Sequence, residues 1–124
     1  MDEVVTGTGV EATVDAICEA ALAAGMTVFA RVDHAAGART AGLQLPDEVL
    51  LLVGAPKVGT ALMQAAPQAG LDLPLHILIW DDAGTTRITW RDPHVLATEH
   101  RLEGLADVLD AMDAGLRKIV GAGP

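Results

Sequence analysis

Val49-Leu50-Leu51-Leu52-Val53 is an unbroken apolar run, and it passes through Gly54-Ala55 into Pro56-Lys57-Val58-Gly59-Thr60-Ala61-Leu62-Met63. A short apolar run bounded by turn residues reads as a strand in an inner position of a sheet. Pro56 suits the first turn of a helix, because the N–H it lacks would have no partner there. The stretch therefore predicts a buried strand feeding a short helix, with Lys57 and the first helical amides gathered at the junction. A helix start carries free donors and a favourable dipole, so a small anion is the natural ligand at such a place.

The remaining segments arrange themselves around that strand. Apolar positions Val10, Val14, Ile17, Cys18, Ala21 and Leu22 recur at helical spacing, with acidic residues opposite and Gly25 as the stop. Cys18 lies on the apolar stripe and reads as core. Thr27 to Asp33 is rich in strand formers, and Ala35 to Gly42 reads as one or two loose helical turns. Leu75 to Trp80, the turn Asp81-Asp82-Ala83-Gly84, and Thr86 to Arg91 form the clearest hairpin in the chain. Asp92-Pro93 starts a short helix through Leu96 to His100 with Asp92 as its cap. Leu102, Leu105, Leu109, Met112, Leu116 and Ile119 make a narrow apolar seam on a last helix. Met63 is read as core, and Trp80 and Trp90 as cross-strand partners. The pattern predicts an α+β domain: a mainly antiparallel sheet of about four to five strands with helices on one face. Residues 1–9 form an arm or edge strand, 10–120 the single domain and 121–124 a frayed tail.

At 124 residues, with one cysteine, a core must form without an internal disulfide. Aromatic residues make up only 2%, with no Tyr, so stacking on nucleobases is not expected. The formal charge of −9 repels phosphate backbones and anionic lipid. Neither a nucleic acid nor a membrane is expected as a partner, and a cytoplasmic protein is the simple reading. Residues 1–25 carry five acids and no Lys or Arg, whereas the middle of the chain is nearly balanced and tolerates an anion.

Three motifs in order, Phe29-Ala30-Arg31-Val32-Asp33-His34-Ala35-Ala36-Gly37-Ala38, Gly54 to Met63, and Leu71-Asp72-Leu73-Pro74-Leu75, resemble the bacterial and archaeal family numbered 302 among the domains of unknown function. The resemblance spans roughly Val10 to Leu116. It implies a compact α+β domain, often dimeric, with no established activity. Ala55 and His76 depart from the family pattern, which carries a polar residue and a Lys at those places.

The candidate ligand site comprises Gly54, Pro56, Lys57, Gly59 and Thr60, with Lys57 supplying charge and Thr60 a hydroxyl. The spacing is not that of a P-loop, which disfavours nucleotide hydrolysis. His34, at the end of the strand Thr27 to Asp33, is the candidate general acid or base, since its ordinary pKa lies near neutrality. It shares a cleft with Lys57 only if the two strands run parallel. If they run antiparallel, the two residues lie a strand length apart. The histidines, Met63 and Cys18 form no recognised ligand spacing, so neither a metal nor a cofactor is expected. The reading is a small dimeric domain that binds a small molecule or anion near Lys57. The alternatives are an enzyme that uses His34 and a structural or protein-interaction module.

Overall fold

The computed structural model of the protein describes residues 1–123. The elements in order are β1 (Asp2–Thr6), α1 (Val10–Ala23), β2 (Thr27–Asp33), α2 (His34–Thr40), β3 (Glu48–Gly54), α3 (Pro56–Ala65), a 3-10 helix (Pro67–Asp72), β4 (Leu75–Asp82), β5 (Thr85–Trp90), α4 (Val95–His100) and α5 (Ala106–Val120). The five strands form one sheet in the order β1-β5-β4-β3-β2, and every neighbouring pair is antiparallel. The fold is the expected α+β one.

Local chemistry accounts for most boundaries. Gly25, at φ 78°, turns the chain after α1. Asp33 accepts the Ala36 amide at 2.8 Å and so caps α2. The β4–β5 hairpin turns on Ala83 and Gly84, both at positive φ, as a two-residue hairpin loop requires. In that turn the Gly84 amide donates to Asp81 Oδ1 at 2.9 Å. Asp92 does not cap α4 directly. It accepts the His94 amide at 2.9 Å in the turn before the helix, and α4 begins at Val95 because Asp92-Pro93 is spent on that turn.

Two apolar clusters hold the molecule together. The larger lies between the sheet and α1 with α5: Val14, Ile17, Leu51, Val53, Ile77, Ile79, Ile88, Leu116 and Ile119 are fully buried in it. The smaller gathers Leu62, Ala66, Leu96, Leu102, Leu109 and Met112 beyond one end of the strands. The apolar seam of α5 is therefore consumed inside the chain. Leu102 belongs to it although it precedes the helix, where Gly104 at φ 76° breaks the helical path. Strand β5 is an inner strand, because β1 pairs with it from Thr86 to Trp90. Trp80 and Trp90 do not meet: Trp80 lies opposite Arg87 and Trp90 opposite the buried Ile77, on the two different faces. Of the expected tail, Gly123 sits where an added Cβ would touch Ile88, Thr13 and Ile17, and Pro124 lies outside the described residues.

Register fixes what each end of the sheet carries. Thr27 lies opposite Gly54, and Asp33 opposite Val49. The antiparallel β2–β3 pair therefore puts His34 at one end of the sheet and Lys57 at the other.

Candidate functional site

The end of the sheet where β3 finishes and β4 begins is where the molecule is hollow. A cavity of about 440 Å³ opens there, lined by residues from β2, the β3–α3 junction, Leu73 to Leu75 and α5. Gly54, Pro56, Gly59 and Thr60 are in its wall, as are Ala55 and Val58. Lys57 is not: its side chain is exposed, although its neighbours on both sides line the cavity. The amides of Val58 and Gly59 both donate to Ala55 O at 3.0 Å, so two of the donors expected to face an anion are turned inward.

The rest of the wall is apolar. Met26, Met63 and Met112 contribute three of the four methionines of the chain, and Phe29 is its single phenylalanine. Met63 is 37% exposed and faces this opening instead of the core expected for it. A β-bulge borders the same opening: the β2–β3 register shifts between Val28 and Ala30, which leaves Phe29 unpaired beside Gly54. An added Cβ at Gly54 would lie 3.6 Å from the Phe29 ring, so the ring packs against bare backbone.

A second cavity, of about 360 Å³, lies beyond Leu75, which borders both. Asp72, His76, Arg91, Asp92 and Glu99 line it, together with Leu50, Leu78 and Trp90. Behind its wall are two carboxylate–imidazole contacts: His100 Nε2 to Asp72 Oδ2 at 2.6 Å, and His94 Nδ1 to Asp92 Oδ1 at 2.6 Å. His94 Nε2 also meets Asp110 Oδ1 at 2.6 Å, so its ring bridges the β5–α4 loop and α5. Hydrogen bonds to Asp110 and then Asp92 raise the His94 pKa above its ordinary value. Asp92 is held below its own, chiefly by the His94 amide. Nearby, Arg117 contacts Asp113 at 3.1 Å and Asp2 at 3.4 Å and lies 6.0 Å from the Trp90 ring centre. The indole N–H of Trp90 is buried without an acceptor.

His34 is exposed on the first turn of α2 and lines neither cavity. The structure thus brings Gly54, Pro56, Gly59 and Thr60 together, leaves Lys57 beside them, and separates His34 from all of them. Cys18 is half-buried on α1, and its thiol pKa is raised by desolvation, against a lowering by Arg31 and with a further rise from Asp15. A thiol so placed is a poor nucleophile.

The family model described as Domain of unknown function DUF302 matches residues 2–121. The chain belongs to the DUF302 family. An uncharacterised conserved DUF302 protein of Bacillus stearothermophilus superposes with a TM-score of 0.89 at 19% identity, covering 99% of this chain and 97% of that one. That likeness establishes a shared fold. Among curated proteins, two named Fluoride-specific ion channel FluC 1 match over 105 residues at 45% identity, one from Brucella suis and one from Brucella abortus. The match takes 83% of this DUF302 chain but only 41% and 39% of those proteins, so the chain spans about two fifths of their length. Among the described residues no helix is long and apolar enough to cross a membrane.

Proposed function

We propose that this DUF302 domain is a small-molecule-binding module whose site is the apolar cavity at the β3–α3 junction. One observation carries the reading: three of four methionines and the single phenylalanine, in a chain whose apolar residues are otherwise mostly Ala, Val and Leu, surround one hollow. Its volume is in the range of ligand pockets, and methionine linings adapt to ligand shape. Thr60 offers one hydroxyl, and Lys57, just outside, serves a ligand that carries an anionic end. His34 lines neither of the two cavities, so neither supports the reading of an enzyme that uses it.

Titration with the neutral fluorophore N-phenyl-1-naphthylamine tests the site. Binding is expected for the native chain and is expected to be lost in Gly59→Leu, whose side chain enters the cavity. No binding, or equal binding by both proteins, overturns the reading. Thermal shift with phosphate and with fluoride tests the anion, fluoride because curated relatives carry a fluoride-channel name. If an anion binds at Lys57, Lys57→Ala costs it about 1.5–3 kcal/mol.

A homodimer is the second part of the proposal, and the uncovered face of the sheet favours it. Val32, 39% exposed there, lies opposite half-buried Leu50, which lies opposite half-buried Leu78, with Leu52 and Trp80 on the same face. Contiguous apolar surface of this kind marks an association face. Light scattering at tens of micromolar is expected to give twice the chain mass, and Leu52→Glu to halve it. A monomer before substitution removes the dimer.

A further inference from the structure

We propose that Asp72, Glu99 and His100 form a binding site for a first-row divalent cation in the wall of the polar cavity. It is independent of the apolar site. One donor atom from each of the three residues lies within 4.8 Å of the others. They come from two segments, Asp72 from the last residue of the 3-10 helix and Glu99 with His100 from the end of α4. A cation would therefore tie these segments together.

One imidazole nitrogen and two carboxylate oxygens suit zinc, manganese or ferrous iron. Calcium and magnesium, which take oxygen alone, fit less well. Preorganisation is supplied by His100, whose side chain is only 8% exposed and whose Nε2 already faces Asp72. Metal–ligand bonds of about 2.0–2.1 Å at a tetrahedral centre put two donors roughly 3.3 Å apart. The Asp72–His100 contact at 2.6 Å must therefore open by well under an ångström, within reach of side-chain rotation.

The cavity is the second, separate observation. Asp72 and Glu99 line it, which leaves a cation held by three protein ligands with a coordination position facing open space, the arrangement of a metal that also takes an exogenous ligand. His76 and Arg91 line the same cavity, and their donors favour a small oxyanion as the class of that ligand. The neighbouring set Asp92, His94 and Asp113 also places its donors close together. There, however, Asp113 engages Arg117 and both ring nitrogens of His94 meet carboxylates, so the cluster is already satisfied as a set of ion pairs.

The test uses the untagged 124-residue chain, stripped with EDTA and titrated calorimetrically with zinc chloride and with manganese chloride. One equivalent is expected to bind, with a higher melting temperature in saturating metal. Glu99→Gln, at an exposed position where the fold is not at stake, and Asp72→Asn are each expected to weaken binding roughly tenfold or more. His94→Asn is expected to leave it unchanged. The absence of saturable binding, a stoichiometry above one without a distinct first site, or affinity insensitive to Glu99→Gln overturns the proposal. Loss of binding in His94→Asn alone overturns it as well, and moves the metal to the other cluster.

Discussion

The two cavities share Leu75 and little else. The one on the β2–β3 side is walled by thioethers, a phenyl ring and glycine backbone; the one on the β4–β5 side sets carboxylates, an imidazole and a guanidinium among apolar residues such as Leu50, Leu78, Trp90 and Leu96. An apolar hollow holds its ligand by shape and by the area taken from water. A polar one adds directed charge, and a carboxylate partly withdrawn from water in its wall needs a partner in the absence of a ligand. That need accounts for the places of His94 and His100. Asp72 and Asp92 each have an imidazole 2.6 Å away, so the polar wall stands without a ligand. The apolar wall has no such need, and two of its residues, Phe29 and Met63, are left partly in water.

The contrast can be broken most forcefully from below. Leu62 is fully buried in the smaller cluster with Met112, which lines the apolar cavity. Leu62→Ala is expected to destabilise the fold by about 2–5 kcal/mol in urea unfolding, through lost transfer energy and the space left behind. It is also expected to weaken the naphthylamine probe while leaving metal affinity in place. A loss below 1 kcal/mol would mean that the cluster collapses freely around the gap and does not brace the cavity.

A smaller effect of opposite sign comes from Gly115 in α5, where a Cβ would meet Met26 Cε at 2.9 Å. The methyl end of a methionine moves cheaply, and alanine is the better helix former by about 0.8–1 kcal/mol. Gly115→Ala is therefore expected to stabilise the fold modestly, and to crowd the cavity that Met26 lines, with a rise in probe Kd. Lower stability in thermal unfolding would show that Met26 has no room to move.

The smallest effect belongs to the polar side and is read as pH dependence. The folded-state pKa of His94 is raised, so its contribution is complete below the unfolded value near 6.5 and is lost as pH climbs through the folded value. Asp92 is lowered, so its contribution is present above its unfolded value near 3.8 and is lost as pH falls through the folded one. Stability from this clasp is greatest between those two limits. Urea midpoints across pH 5 to 9 are expected to fall on the alkaline side, and to flatten there in His94→Asn. An identical alkaline slope in both proteins would remove His94 as its source.

Much of the architecture was legible because it rests on local pattern. The apolar run Val49 to Val53 and the turn ending at Ala83-Gly84 each act within a few residues. What the sequence left open was long-range. Whether β2 and β3 run parallel depends on which residues pair, and nothing short of the register decided that His34 and Lys57 lie at opposite ends. The polar cavity was likewise out of reach: Asp72 and His100 are 28 positions apart, and His94 and Asp110 are 16. Asp92-Pro93 reads locally as a helix start; it makes a turn instead, and the contact of His94 with Asp110 on α5 does not lie within a few residues. Met63 was misplaced for a different reason. Helical spacing identifies an apolar face but not whether that face meets a core or a hollow.

The bulge at Phe29 reaches further than the cavity it furnishes. Strand β2 is an outer edge of the sheet, where unpaired backbone groups invite another chain to continue the ladder. The extra residue bends that edge and puts its amides out of step with any straight strand laid beside it. Growth of this fold into a fibril by edge addition is thereby obstructed on that side by the same residue that opens a pocket.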